Sequence, residues 1–136
     1  MEMDDFKVVL LGVVYNPEKK EILIVRREKD PIIPKLTWCF PGGRLGYNEE
    51  VDKSLKNSIK EKTGYTVKNL GAIFSDVAKE KDDLLKVYYL CEVLEGKGKA
   101  EGKKIKELKW VKPAEIEKHF QTSFNTRLKE YISNLI

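Results

Sequence analysis

The sequence predicts an α/β fold, and three observations carry that expectation. Short runs rich in β-branched and aromatic residues recur along the chain, one amphipathic helical stretch interrupts them near the middle, and the C-terminal end returns to helical periodicity. The length agrees, since 136 residues with 41% hydrophobic content suit a single domain over residues 1–136 and leave no room for a second.

In chain order, Phe6 to Tyr15 is an apolar, β-branched run that reads as a buried strand, followed by a turn over Asn16-Pro17-Glu18-Lys19-Lys20. Glu21 to Arg27, with Ile22-Leu23-Ile24-Val25 at its centre, reads as the returning strand of a hairpin. Residues 28–35 carry Pro31 and Pro34 and read as an irregular surface loop before a short strand from Thr37 to Phe40. Pro41, Gly42 and Gly43 then mark a tight turn, because these residues sit poorly inside a helix or a central strand, and glycine lets the backbone approach a ligand closely.

A helix is expected from Asn48, which supplies a capping oxygen. Glu49 and Glu50 lie at the positive helix end, Val51, Leu55 and Ile59 follow at i, i+4 and i+8, and Gly64 stops the helix. Val67 to Val77 reads as one or two strands, Lys86 to Leu94 as another, and Glu107 to Val111 as a last short one. Two helices should close the chain. The first is entered through Pro113 with Ile116 and Phe120 inward, and the second starts near Ser123 with Leu128, Tyr131, Ile132 and Leu135 inward.

The stretch Trp38 to Tyr65, WCFPGGRLGYNEEVDKSLKNSIKEKTGY, resembles the box of the Nudix hydrolases, G-x5-E-x7-R-E-U-x-E-E-x-G-U with U a large apolar residue. Gly43 takes the first glycine, Glu49 the first glutamate, Ile59 the first apolar position, Glu61 one of the late acidic pair, Gly64 the last glycine and Tyr65 the final U. Trp38-Cys39-Phe40-Pro41-Gly42-Gly43 is similar to the W-x-x-P-G-G lead-in of that family. Three positions depart from the pattern: Asn57 stands for the arginine, Ser58 for the first helical glutamate and Lys62 for the last. The resemblance implies a Nudix fold, in which a mixed, partly barrel-like sheet is sandwiched between helices, with the box at residues 43–65 and a ligand cleft beside the box loop.

It also implies a cofactor and a chemistry. In the family the box glutamates hold Mg²⁺ or Mn²⁺ against a substrate pyrophosphate, which leaves Glu61 here as the surviving metal ligand or catalytic base. Positions 58, 61 and 62 share one helix face, and in this chain that face reads Ser, Glu, Lys. An ammonium about 4 Å from a divalent ion repels it by about 8 kcal/mol at an effective dielectric near 20, an upper bound because a lysine stem can swing away. One glutamate beside a lysine is a poor cage for a hard cation.

Other residues are candidates for the phosphate-bearing ligand. Gly42 and Gly43 bring backbone close, Arg44 offers a planar cationic fork directly after them, and Arg26 is the strand arginine assigned to the cleft. Each has a plain alternative as a turn, surface or ion-pair residue. Asn125 resembles the asparagine that some nucleoside-triphosphate-cleaving relatives use against a purine edge, although asparagine is also a common helix cap. Glu101 lies where the resemblance places an auxiliary metal-binding or basic glutamate, and Glu80, Asp82 and Asp83 lie in another loop; solvated loop carboxylates are the plain alternative. His119 is the only histidine, which excludes a histidine cluster within one chain, and it reads as a helix-end residue facing the negative dipole.

Composition narrows the partners. The net charge is +4 with 35% charged residues, a modest excess that suits a phosphate ligand, while no basic motif with interleaved aromatics points to nucleic acid. The lysine-rich stretch from Gly96 to Lys106 reads as a solvated hairpin loop. Without an apolar span or a secretion-type start, no membrane partner is expected and the location is expected to be cytoplasmic; Cys39 and Cys91 then read as reduced core residues. Family relatives are often dimers, so a homodimer is admitted without being marked by any patch. Three readings stay open: a phosphohydrolase acting on a nucleoside di- or triphosphate or nucleotide-linked pyrophosphate, an inactive nucleotide or phosphate binder in which Lys62 supplies the charge, and a partner-binding scaffold with an empty cleft.

Overall fold

The computed structural model of the chain describes residues 7–27, 38–78, 83–99, 105–120 and 125–135. Strands β1 (Lys7–Asn16) and β2 (Glu21–Arg27) are joined by the expected turn, in which Asn16 Oδ1 accepts the Glu18 and Lys19 N–H groups at 3.0 and 3.3 Å. The hairpin stays paired only at Tyr15–Ile22 and Asn16–Glu21 and then splays. Beyond the splay β1 pairs in parallel with β6 (Leu84–Glu95) and antiparallel with β4 (Gly42–Arg44). Strand β2 pairs with β3 (Trp38–Cys39) and β7 (Ile105–Val111), and β5 (Thr66–Val77) runs antiparallel to β6. The sheet is therefore mixed, and its path from β3 through β2, β1 and β6 to β5 does not close into a barrel.

Side-chain alternation along β2 sets the layers. Ile22 and Ile24 point into a core shared with Phe40, Tyr88, Ile116, Leu128 and Ile132, whereas Leu23 points into a second core with Leu10, Val14, Leu55, Ile59 and Cys91. Helix α1 (Val51–Thr63) thus covers one face of the sheet, and α2 (Ile116–His119) with α3 (Thr126–Ser133) covers the other. Both faces of β2 are covered, which is why its centre reads as an unbroken apolar run. A Cβ on Gly12 would lie 2.6 Å from Ile59 Cδ1, so this glycine is what lets α1 seat directly on β1. Asn69 of β5 donates to Asp52 of α1 at 3.0 Å and Lys56 pairs with it at 3.1 Å. The Asn69 amide first, and Lys56 second, hold the Asp52 carboxyl below its ordinary value of 3.8. The clasp is therefore whole above that pH and is lost as pH falls through the depressed value.

Several expectations are corrected. Gly42–Arg44 is a short strand on β1, not a turn, because a residue without Cβ can press against the Leu10 carbonyl where any side chain would collide. The helix starts at Val51, two turn residues later than expected, because Asn48 adopts φ 61° in the preceding turn and cannot serve as its cap. Leu55 and Ile59 are fully buried and Val51 half-buried, and Gly64 ends α1 at φ 79° as expected. Residues 66–77 form one strand, interrupted by register shifts. Pro113 opens a 3-10 turn, Pro113–Glu115, ahead of α2, and the proposed start of the last helix at Ser123 lies outside the described residues. Tyr131 is 40% exposed while Leu128 and Ile132 are buried: at about 100° per residue position 131 falls at the margin of the 128–132–135 stripe.

Cys39 and Cys91 are buried thiols, and no helix among the described residues is long and apolar enough to cross a membrane. Burial pushes the Cys91 thiol from its ordinary 9.0 up to about 12. Alkylation by iodoacetamide at pH 8 should therefore spare Cys91 in the native protein and modify it after unfolding; mass mapping of native label on this residue would contradict the placement.

Candidate functional site

The box loop is built on β1. Gly42 and Gly43 lie opposite Leu11 and Leu10, and Leu45 N–H continues the attachment to the Val8 carbonyl at 2.9 Å. The second half of α1 closes over this strand. A Cβ on Gly43 would stand 2.9 Å from Ser58 Oγ and 3.3 Å from Lys62 Nζ, and the Lys62 ammonium donates to the Gly42 carbonyl. Ser58 and Lys62 thus meet the Gly42–Gly43 backbone as the box frame requires, while Glu61 on the same helix is exposed.

These residues do not fit a divalent ion held in the family's manner. The ammonium of Lys62 already takes the Gly42 carbonyl, a hydroxyl stands at position 58, and Asn57 is exposed. Among the described residues, no group of three or more Asp, Glu, His or Cys could hold a metal ion. Glu101, the other metal candidate, lies outside the described residues, as do Glu80 and Asp82, while Asp83 faces Lys7 at 3.7 Å.

The remaining candidates have identifiable roles. Arg26 Nε contacts Glu107 Oε1 at 3.1 Å across the β2–β7 pair, and both side chains are partly exposed. Arg44 ends β4 with its side chain exposed. Asn125 caps α3, accepting the Arg127 N–H at 2.8 Å, so the geometry supplies the cap that the sequence offered as its alternative role. His119 ends α2, with Nδ1 3.1 Å from the Glu115 carbonyl and its ring edge-on to Trp38 at 5.5 Å.

One feature escaped the sequence reading. Glu49 N–H bonds back to the Gly46 carbonyl at 3.3 Å, and the Glu49 carboxylate accepts the Gly46 N–H. With φ positive at Asn48 and not at Tyr47, residues 46–49 form a type II β-turn, whose outer corner carries a Tyr47 side chain that is 95% exposed. The signal was Asn at the third turn position, where a left-handed backbone is tolerated.

Residues 5–134 match the family model of the NUDIX domain. The chain belongs to the NUDIX domain family. No curated protein matches it in sequence, but solved structures share its fold. A chain from a structure and function analysis of MutT from Aliivibrio salmonicida and Vibrio cholerae superposes with a TM-score of 0.73 at 18% identity, covering 96% of this chain and 98% of that one. The MutT protein of Methanosarcina mazei Go1 gives 0.70 at 18% identity over 94% and 91% of the two chains. A NUDIX hydrolase of Nitrosomonas europaea gives 0.75 at 17% identity over 95% and 71%. At these identities the likeness is one of fold.

Proposed function

We propose that this NUDIX domain binds the phosphates of a nucleotide or related nucleotide-linked pyrophosphate, with Lys62 as a built-in positive charge, and that phosphoanhydride hydrolysis is weak or lost. The observation that carries the reading is the Lys62 ammonium on the Gly42 carbonyl, beside the backbone of Gly43. A fixed cation beside the box-loop backbone suits an anionic phosphate and opposes a second, divalent cation. Arg44 adds a fork at the end of the same strand. Arg26 and Asn125 are secondary candidates, since reaching a ligand requires them to share or release Glu107 and the Arg127 N–H.

Melting curves with a panel of nucleoside di- and triphosphates, recorded in a chelator, test the proposal. A ligand at about one hundred times its Kd should stabilise the natural chain by about 2.7 kcal/mol, and Lys62→Met should lose that response. Stabilisation that needs Mg²⁺, or that survives in Lys62→Met, overturns the reading.

The exposed Glu61 favours a second reading, a hydrolase whose carboxylate remains open to water or to a cation. Release of phosphate or pyrophosphate under Mg²⁺ or Mn²⁺, abolished by Glu61→Gln, would select it.

A further inference from the structure

We infer that Tyr47 is the stacking platform for the base of the bound nucleotide, an inference that rests on the phosphate-binding reading above. Single exposed aromatics are common on protein surfaces and mean little alone. Tyr47 differs in how it is held. Its turn is closed twice, by Glu49 N–H on the Gly46 carbonyl and by the Glu49 carboxylate on the Gly46 N–H. The turn also places Asn48 at φ 61°, a conformation that a residue with a side chain adopts at some cost. Both flanks are anchored: Leu45 bonds Val8 and packs against the core of Leu55 and Ile59, and Val51 starts α1. A large ring is thereby offered to solvent on a rigid arm, with only two side-chain torsions left to order on binding.

Its place in the chain fits one ligand class. Tyr47 lies three positions after Arg44, so their Cα atoms lie within about 11 Å, and the strand Gly42–Arg44 leads from the Lys62 ammonium to this turn. A nucleoside diphosphate stacked through its base on Tyr47 can turn its phosphates back along that strand toward Arg44 and Lys62. Stacking accepts any base through its π-face, so the platform selects nucleotides over inorganic phosphates rather than one base over another.

Isothermal titration in a chelator with two probes, adenosine diphosphate and inorganic pyrophosphate, tests this on the natural chain and on Tyr47→Ala and Tyr47→Phe. The expected result is that the nucleotide binds more tightly than pyrophosphate, and that Tyr47→Ala weakens the nucleotide by about 5- to 150-fold while leaving pyrophosphate unchanged. Tyr47→Phe should keep both affinities. Unchanged pyrophosphate binding also reports an intact fold. Nucleotide affinity unaffected by Tyr47→Ala overturns the platform and spares the phosphate site, as does a parallel loss of both probes, which would make Tyr47 a loop support. If the natural chain binds neither probe, the platform and the phosphate-binding reading both fall.

Discussion

The triple variant Asn57→Arg, Ser58→Glu, Lys62→Glu is expected to turn the box into a metal site whose stability depends on the ion. The face formed by positions 58, 61 and 62 changes from Ser-Glu-Lys to three carboxylates, its formal charge falling from zero to minus three. The same changes remove the ammonium from the Gly42 carbonyl, which costs about 1–3 kcal/mol if that oxygen is left unsatisfied. In a chelator the variant should therefore melt below the natural chain. At Mn²⁺ about one hundred times its Kd it should recover about 2.7 kcal/mol, on the order of 10 °C for a chain of this size. The added arginine can orient a neighbouring glutamate by a charge-assisted bond, and hydrolysis of at least one nucleoside triphosphate should appear or rise. Metal-independent melting of the variant would show that position 58 or 62 does not open onto a common site. Natural-chain hydrolysis equal to the variant's at matched metal would show that catalysis uses another arrangement, with Glu101 the first residue to substitute.

Gly42→Ala should damage the same region by a different route. The new methyl group would be driven into the Leu10 carbonyl and the neighbouring Leu11 backbone, neither of which has a torsion to turn away. Detachment of β4 from β1 is the only relief, at about 3 kcal/mol or more, since backbone clashes sit at the upper end of overpacking penalties. Gly12→Ala is the informative contrast. Its clash is with the tip of the Ile59 side chain, so Ile59→Val, which trims that tip, should restore much of the loss. Chemical denaturation of the natural chain, the two glycine variants and the Gly12→Ala/Ile59→Val double variant measures both. Equal stability of Gly42→Ala and the natural chain would refute the close strand contact.

The sequence made the layers legible because burial wrote itself into periodicity. Ile22 to Val25 are covered on both faces and read as one apolar run, and Leu55 and Ile59 fall on a single helical stripe. The spacing that puts positions 58 and 62 on one helix face likewise agrees with their meeting Gly43 in the fold. What stayed hidden depends on long-range pairing. Nothing local distinguishes Gly42–Arg44 as a turn from Gly42–Arg44 as a strand, because the partner strand lies far back in the chain. The same is true of Arg26, whose Glu107 neighbour is supplied by β7. At Asn48 two principles competed: asparagine favours both the helix cap and the left-handed turn position, and the carboxylate closure by Glu49 decided for the turn.

The parallel pairing of β1 with β6 also governs how the protein comes to be made. Lys7 finds Leu84, and Ile22 finds Val111, only after most of the chain has left the ribosome. The hairpin of β1 and β2 is held until then by two residue pairs, with the apolar run Ile22 to Val25 uncovered. Contacts of such high sequence separation demand loop closure before they repay it, so the pairing of β1 with β6 and of β2 with β7 is expected late in folding. Nascent chains stalled before β6 would leave the β6-facing edge of β1 unpaired, an edge open to association with other chains.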